Sequence, residues 1–431
     1  MVIFVINIMI LLIYKFVFQV KRINLMISSV VALVLIVLVY FRNFRLSLPI
    51  LNYSDKWIFV LSVFGLGLEF WRKKKNILFG KEVTVFLLLI LISVVVSVFG
   101  LNPGNSLLEV RFLITGFLLY LFFVVKNNEK IDYFLFLWMG LNLFVGIVSL
   151  LSLLWPEIVL SWLGYFFDNG YLAVFSYDFL RGRIIPVGAI YLSFLMPVCY
   201  LMMRKKGFFG LASLLIFCLS VFSVIISNYR ASFILVIFGI LMLVKRVKKR
   251  LVLFTFLIII CSIVVSSKVL GFSVFDRFLV KNDLDTDSLS SRIYYLVEAV
   301  DVFKTRPFLG VGLGNFGFAT DLLAIRQKEN NKHLSEYYLL GDPHSSLFSW
   351  LAETGLFGIS CYLLFLYLFF KKDLFVVSGG LYKGEKFNFI YILIASSWIY
   401  VLGSFLDAWP PFLFYNFCIF RGILGSYYKE I

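Results

Sequence analysis

Residues 83–100 read VTVFLLLILISVVVSVFG, eighteen positions without one charged side chain. A helix rises about 1.5 Å per residue, so a run of this length is matched to a hydrocarbon core about 30 Å thick. Lipid offers backbone groups no hydrogen-bond partner, which leaves helices or a closed barrel as spanning structures. A barrel strand alternates polar and apolar positions, and this run does not. Comparable runs recur at 3–20, 24–41, 57–71, 109–125, 131–155, 184–203, 208–226, 229–244, 251–270, 345–370, 388–406 and 411–427. The chain therefore reads as an all-α polytopic membrane protein of about 12 transmembrane helices. The count is 12–13, because Lys15 interrupts the first run.

Composition agrees: 61% of the residues are hydrophobic, 15% are charged, and the mean hydropathy is +0.97. Soluble domains carry roughly 45–50% apolar and about 25% charged residues. The net charge of +16 sits in short basic clusters between runs. Such clusters mark cytoplasmic loops, so topology accounts for them and no nucleic-acid partner is expected. RKKK (72–75), KNNEK (126–130), RKK (204–206), KRVKKR (245–250) and KKD (371–373) each follow an odd-numbered run. The opposite ends carry NPGN (102–105), the segment 156–183, the SNYR turn, the segment 271–344 and DAWPP (407–411), which should face outward. RNFR (42–45) breaks the pattern. MVIFVINIMILLIYK has neither a basic n-region nor a small-residue cleavage site, and reads as a retained span. The five cysteines lie in or beside apolar runs with no metal or disulfide spacing, and read as small core residues.

One long polar segment stands out. Residues 271–344 hold eight Lys and Arg against ten Asp and Glu, a net of −2. The division expected is 1–270 N-terminal membrane helices, 271–344 a large periplasmic or extracellular loop carrying short helices, and 345–431 C-terminal membrane helices. A connection this long inside a compact protein is usually functional. Within it, SSRIYYLVEAVDVF (290–303) has apolar residues at 293, 296, 297 and 300, an amphipathic helical spacing. TRPFLGVGLGNFGF (305–318) then reads as a turn region.

Several polar residues map to the outward ends. Arg181 and Arg183 sit at the start of the run 184–203, Arg230 in the tight hairpin ISNYRAS, Arg292 on the amphipathic helix, and His344 at the start of the run 345–370. Cations on the outer face run against the positive-inside tendency. Guanidinium makes forked contacts to phosphate, so outward Arg suggests an anionic ligand such as a lipid-linked diphosphate. Snorkelling to headgroups is an equal reading for Arg230, an ion pair for Arg292, and headgroup contact is the default for Arg111. His344, one of two histidines, is the residue type suited to base work near neutral pH. Glu353 lies nine residues further along the same run, too far for the same helical turn; possible support of the site and a structural tie between helix and loop are equal readings.

Other patterns are weaker. GVGLGNF (310–316) has the glycines of a phosphate cradle but not its strand–loop–helix setting, so a turn is the default. DLDTDS (283–288) lacks the Gly and the closing Glu of a calcium loop. His333 sits in a polar stretch and reads as solvated. No metal site and no cofactor are expected.

Together these segments resemble the bacterial O-antigen ligase and Wzy-type polymerase family of membrane glycosyltransferases, over roughly residues 80 to 425. SNYRAS is similar to its Ser-x-x-Arg-small motif. SSRIYYLVEAVDVFKTRPFLGVGLGNF is similar to its outer-loop signature, and PHSSLFSWLAETGLFG to its His-Ser/Asn-x-x-Leu…Glu-x-Gly-x-x-Gly motif. LRGRIIPVG (180–188) matches an earlier motif loosely. The resemblance implies a GT-C-like helical fold in the bacterial cytoplasmic membrane with its active site on the outer face. It implies transfer of a glycan from undecaprenyl diphosphate to an acceptor hydroxyl without metal or nucleotide. Arg230 and Arg292, with Arg183 in a degenerate motif, would hold the diphosphate, and His344 would act on or position the hydroxyl. Polymerisation of repeat units is favoured over ligation to lipid A-core or protein. A flippase or exporter of lipid-linked saccharides is the rival from another class. Implied partners are the undecaprenyl-diphosphate-linked oligosaccharide, membrane lipids, a chain-length regulator and a flippase.

Overall fold

A computed structural model of the chain describes residues 23–41, 54–73, 80–126, 177–178, 183–184, 214–219, 295–329, 345–378, 384–406 and 411–428, with a few single positions between them. The helices are α1 (Ile23–Phe41), α2 (Ser54–Lys73), α3 (Lys81–Val98) and α4 (Pro103–Val125), then α5 (Phe316–Glu329), α6 (Ser346–Ser378), α7 (Gly384–Leu406) and α8 (Pro411–Tyr428). Residues 295–305 form a further helical stretch. A two-residue antiparallel ladder pairs β1 (Tyr177–Asp178) with β2 (Arg183–Ile184). Seven of the thirteen expected runs coincide with α1–α4 and α6–α8. The other six lie largely outside the described residues, and the total of about twelve spans and a GT-C-like arrangement depend on them.

By length and composition, α3, α4 and α6 are apolar enough to cross a membrane, and 27–39 and 389–405 are shorter apolar helical stretches. Their outward faces are apolar too. Leu88, Leu91, Val95 and Val98 on α3, and Leu363, Leu364, Tyr367, Phe370 and Leu374 on α6, are exposed. Soluble monomers rarely carry apolar faces of this extent, whereas lipid-facing helices require them.

The described helices form one bundle: α4 packs on α8, α2 and α3, α3 packs on α6, and α7 packs on α6 and α8. Helices α4 and α8 run parallel, since Gly116 faces Phe414 and Cys418 while Gly422 faces Tyr120. A Cβ on Gly422 would come within 2.6 Å of the Tyr120 carbonyl oxygen, so glycine sets how closely the two backbones approach. Small residues play this part in membrane helix packing, where no hydrophobic force draws one apolar helix to another. Cys361 and Cys418 are buried in the packing and are not disulfide-bonded, and Cys218 is half-buried.

The structure refines three expectations. NPGN opens α4, which starts at Pro103 and not at 109. Asn102 caps α4 by accepting a hydrogen bond from the Asn105 N–H at 3.3 Å, and Pro103 occupies the first turn, where it sacrifices no helical bond. Arg183 lies in the two-residue strand β2, and the run expected to follow it lies outside the described residues. The helix expected at 290–303 is present from 295, but its buried face is Tyr295, Glu298, Ala299 and Val302, while Val297 is 51% exposed. The buried stripe is thus displaced by two positions from the expected 293, 296, 297 and 300.

Candidate functional site

Helix α6 is broken where the sequence reads Ala352-Glu353-Thr354-Gly355-Leu356. Gly355 has φ 63° and ψ −163°, a conformation that a side chain disfavours. In an unbroken helix the N–H groups of Leu356 and Phe357 would bond to the carbonyls of Ala352 and Glu353. The loop 307–312 takes up all four groups instead. Leu356 N–H donates to Pro307 O at 2.8 Å and Phe357 N–H to Phe308 O at 3.3 Å. The freed Ala352 and Glu353 carbonyls accept from Val311 N–H (3.2 Å) and Gly312 N–H (2.8 Å). The helix is thus opened by one bend and resealed by a second chain segment. Broken backbone at membrane depth requires such re-satisfaction.

The same loop is fixed to the junction of α3 and α4. Leu101 N–H donates to Val311 O at 2.8 Å, and Asn105 Nδ2 to Gly314 O at 3.0 Å. Asn315 Nδ2 donates to Ser106 Oγ at 2.9 Å and Val311 O at 3.0 Å. Arg306 Nη1 donates to Phe99 O at 2.8 Å, placing a cation on a carbonyl at the end of α3. Beneath lie Ala299, Val302, Val311, Phe316, Ala319 and Ala352, all buried. Burying a side chain such as Phe316 contributes about 1.5–3 kcal/mol.

GVGLGNF is therefore a docking turn, as its default reading held. The N–H groups of Gly310, Val311, Gly312, Asn315 and Phe316 are all engaged within the protein, which leaves that backbone little to offer a phosphate. Glu353 is the side chain that ties helix to loop. Its Oε1 accepts from Phe316 N–H at 3.3 Å, at the first residue of α5, where a carboxylate meets the positive end of the helix dipole.

Of the other residues singled out from sequence, His344, Arg230, Arg292 and Arg181 lie outside the described residues, and Arg183 is described only through its place in β2. Ser345, which follows His344, is buried, and its hydroxyl donates to Phe405 O at 3.0 Å. The His-containing motif thus opens α6 beside the end of α7, and its Gly355 segment grips the outer-loop signature.

Sequence reasoning missed three features of the described residues. Glu298 is 3% exposed and neither carboxylate oxygen has a hydrogen-bond partner. Burial raises its pKa from the ordinary 4.5 to about 7, with added repulsion from Asp321 and Asp301. Its mid-helix place in an apolar pattern gave no signal. A second feature is the buried pair of Arg421 Nη1 and Asp373 Oδ2 at 2.7 Å. Trp398 Nε1 and the Tyr428 hydroxyl also donate to Asp373, each at 2.7 Å, and Arg421 stacks on Phe369, Trp398 and Phe417. Asp373 had been counted within a basic cluster, although an Arg inside an apolar run is itself a signal for a partner. The third is Lys126, buried at the end of α4 against Ser29 (3.1 Å) and Ser28, whose hydroxyl also bonds Glu69. Among the described residues no three His, Cys, Asp or Glu side chains are grouped to hold a metal ion.

No curated protein matches the chain. A family model described as O-Antigen ligase matches residues 214–363. The matched stretch includes SNYRAS, the outer-loop signature and the broken start of α6, the two last of which the structure interlocks; with its apolar helices the chain is an integral membrane protein that carries, over residues 214–363, a segment similar to the O-antigen ligase family.

Proposed function

We propose that the protein polymerises lipid-linked oligosaccharide repeat units into a surface polysaccharide. In this reading a glycan leaves undecaprenyl diphosphate and joins an acceptor hydroxyl on the outer face of the bacterial cytoplasmic membrane. The match of residues 214–363 to the O-antigen ligase family supports lipid-linked glycan transfer in polysaccharide assembly. The observation that carries the reading to a site is the interlock of residues 307–316 with 352–357, because it ties the segment after Arg292 to the segment after His344.

The chemistry follows from the residue types. As the acceptor oxygen bonds to the anomeric carbon, the glycosidic oxygen departs with the diphosphate and negative charge grows there. Arg230 and Arg292, with Arg183, are proposed to meet that charge, as fixed cations do in a site that excludes water. His344 takes the hydroxyl proton or positions the hydroxyl. Glu353 supports the site by holding α5 to α6. The loop 271–344 faces outward between the membrane regions 1–270 and 345–431, and a flippase and chain-length regulator act alongside. A ligase transferring the finished glycan to lipid A-core or protein is the alternative with the same motifs.

Purified protein reconstituted with a lipid-linked repeat unit tests this. A ladder of products supports the polymerase, and a single transfer to a second acceptor supports the ligase. Translocation of the substrate without product would favour a flippase and sink the reading. His344→Ala should abolish chain growth at an unchanged protein level, and wild-type chain lengths would remove His344 from the site.

A further inference from the structure

Arg111 lies in α4, a helix apolar and long enough to span a membrane, five residues past Ser106, where the loop docks. Five residues correspond to roughly 7–8 Å along the helix. Its side chain is half-buried. Its Nε is enclosed without a hydrogen-bond partner. Its guanidinium carbon lies 5.1 Å from the centroid of the Phe112 ring.

Arg421 shows what this protein does with a cation kept for structure. Arg421 is buried, paired with Asp373 and packed between three rings. Arg111 has the apolar setting, and its Nε has no hydrogen-bond partner. A cation in such a place is expensive unless an anion meets it, and Arg presents a fork suited to phosphate oxygens. Helical side chains lean toward the helix N-terminus, so Arg111 leans toward the end of the bundle where the loop docks.

We propose that Arg111 is a binding residue for the phosphate group of an amphiphile that enters the bundle from the bilayer beside the docked loop. Two sources share this chemistry: a polyprenyl diphosphate and a phospholipid headgroup. The first would make Arg111 a further diphosphate contact of the proposed reaction and rests on that reading; the second does not.

The test compares full-length wild type with Arg111→Met and Arg111→Lys. Each is placed in zwitterionic nanodiscs and titrated with a polyprenyl diphosphate or with phosphatidylglycerol. Arg111→Met keeps the apolar stem, and an unchanged thermal transition certifies its fold. The expected result is an affinity about tenfold lower for a phosphate-bearing lipid in Arg111→Met, with Arg111→Lys intermediate, the scale of one charge-assisted contact. Loss in the polyprenyl arm identifies the donor, and loss in the phosphatidylglycerol arm alone identifies a headgroup. Unchanged affinity in both arms overturns the proposal. Failure of wild type itself to bind the polyprenyl diphosphate counts against the donor reading under Proposed function, and is distinct from an Arg111 variant that binds as wild type does.

Discussion

The two ends of α3 are held by different physics. At Phe99 the helix ends under the docked loop, which is clasped to α6 by four backbone hydrogen bonds that glycines permit and reaches the α3–α4 junction through one more and through neutral side chains and Arg306. Seventeen residues earlier, roughly 25 Å away along the helix axis, Glu82 pairs with Lys372 of α6, and the neighbouring Asp373 binds Arg421, Trp398 and Tyr428. That end is fastened by side-chain charge. A backbone clasp depends on shape and is indifferent to most side chains. A buried ion pair depends on each partner and fails when one is lost. The first arrangement suits the end where a Gly-rich loop must be held in register, and the second ties helices together where apolar packing alone gives little preference for one neighbour over another.

Three variants separate these mechanisms. The largest effect is expected from Asp373→Ala, which leaves Arg421 buried without its anion at a cost of about 3–5 kcal/mol. The detergent-solubilised protein should unfold at markedly lower temperature, and a transition within a degree of wild type would show the pair to be dispensable. Next is Gly310→Val. Gly310 has φ 68°, and a Cβ there would overlap the Glu353 carbonyl. Strain and overlap together cost about 2–4 kcal/mol. Protease should then cut within 295–329 while the bundle's own thermal transition moves less; equal loss in both would make the clasp and the bundle one unit.

The smallest effect is expected from Glu298→Gln, and it appears in pH dependence. The folded state raises the Glu298 pKa to about 7, so it holds the proton more tightly than the unfolded chain. The stability from this group is fully present below the unfolded value of about 4.5 and is lost as pH rises through about 7. Protease resistance of 295–329 in wild type should therefore fall between pH 5 and 8. The Gln variant should lose that slope, and an identical slope would place its origin elsewhere.

The helical bundle was legible in the sequence because membrane thickness sets run length and lipid forbids unpaired backbone. That is why seven expected runs coincide with helices to within a few residues, the start of α4 and the end of α6 apart. The glycines of GVGLGNF and Gly355 were visible as turn material, but not as partners, because a hydrogen bond between residues 311 and 352 leaves no local pattern. The face of the helix at 295–305 was misjudged by two positions for a related reason: Ala299 and Val302 are buried in one cluster with Ala352, far along the chain.

What the sequence by itself determined is the class of solvent, the helical character of the chain and the motifs that it shares with the O-antigen ligase family. Those follow from composition and from order along the chain. Only the tertiary structure decided that α6 breaks at Gly355 to receive the loop, that Glu353 caps α5, that Asp373 answers Arg421, and that the Arg111 Nε has no hydrogen-bond partner among the described residues. Each of these depends on groups far apart in sequence coming within hydrogen-bonding distance, and the cost of leaving a polar group unmet in an apolar interior decides which of them must be paired.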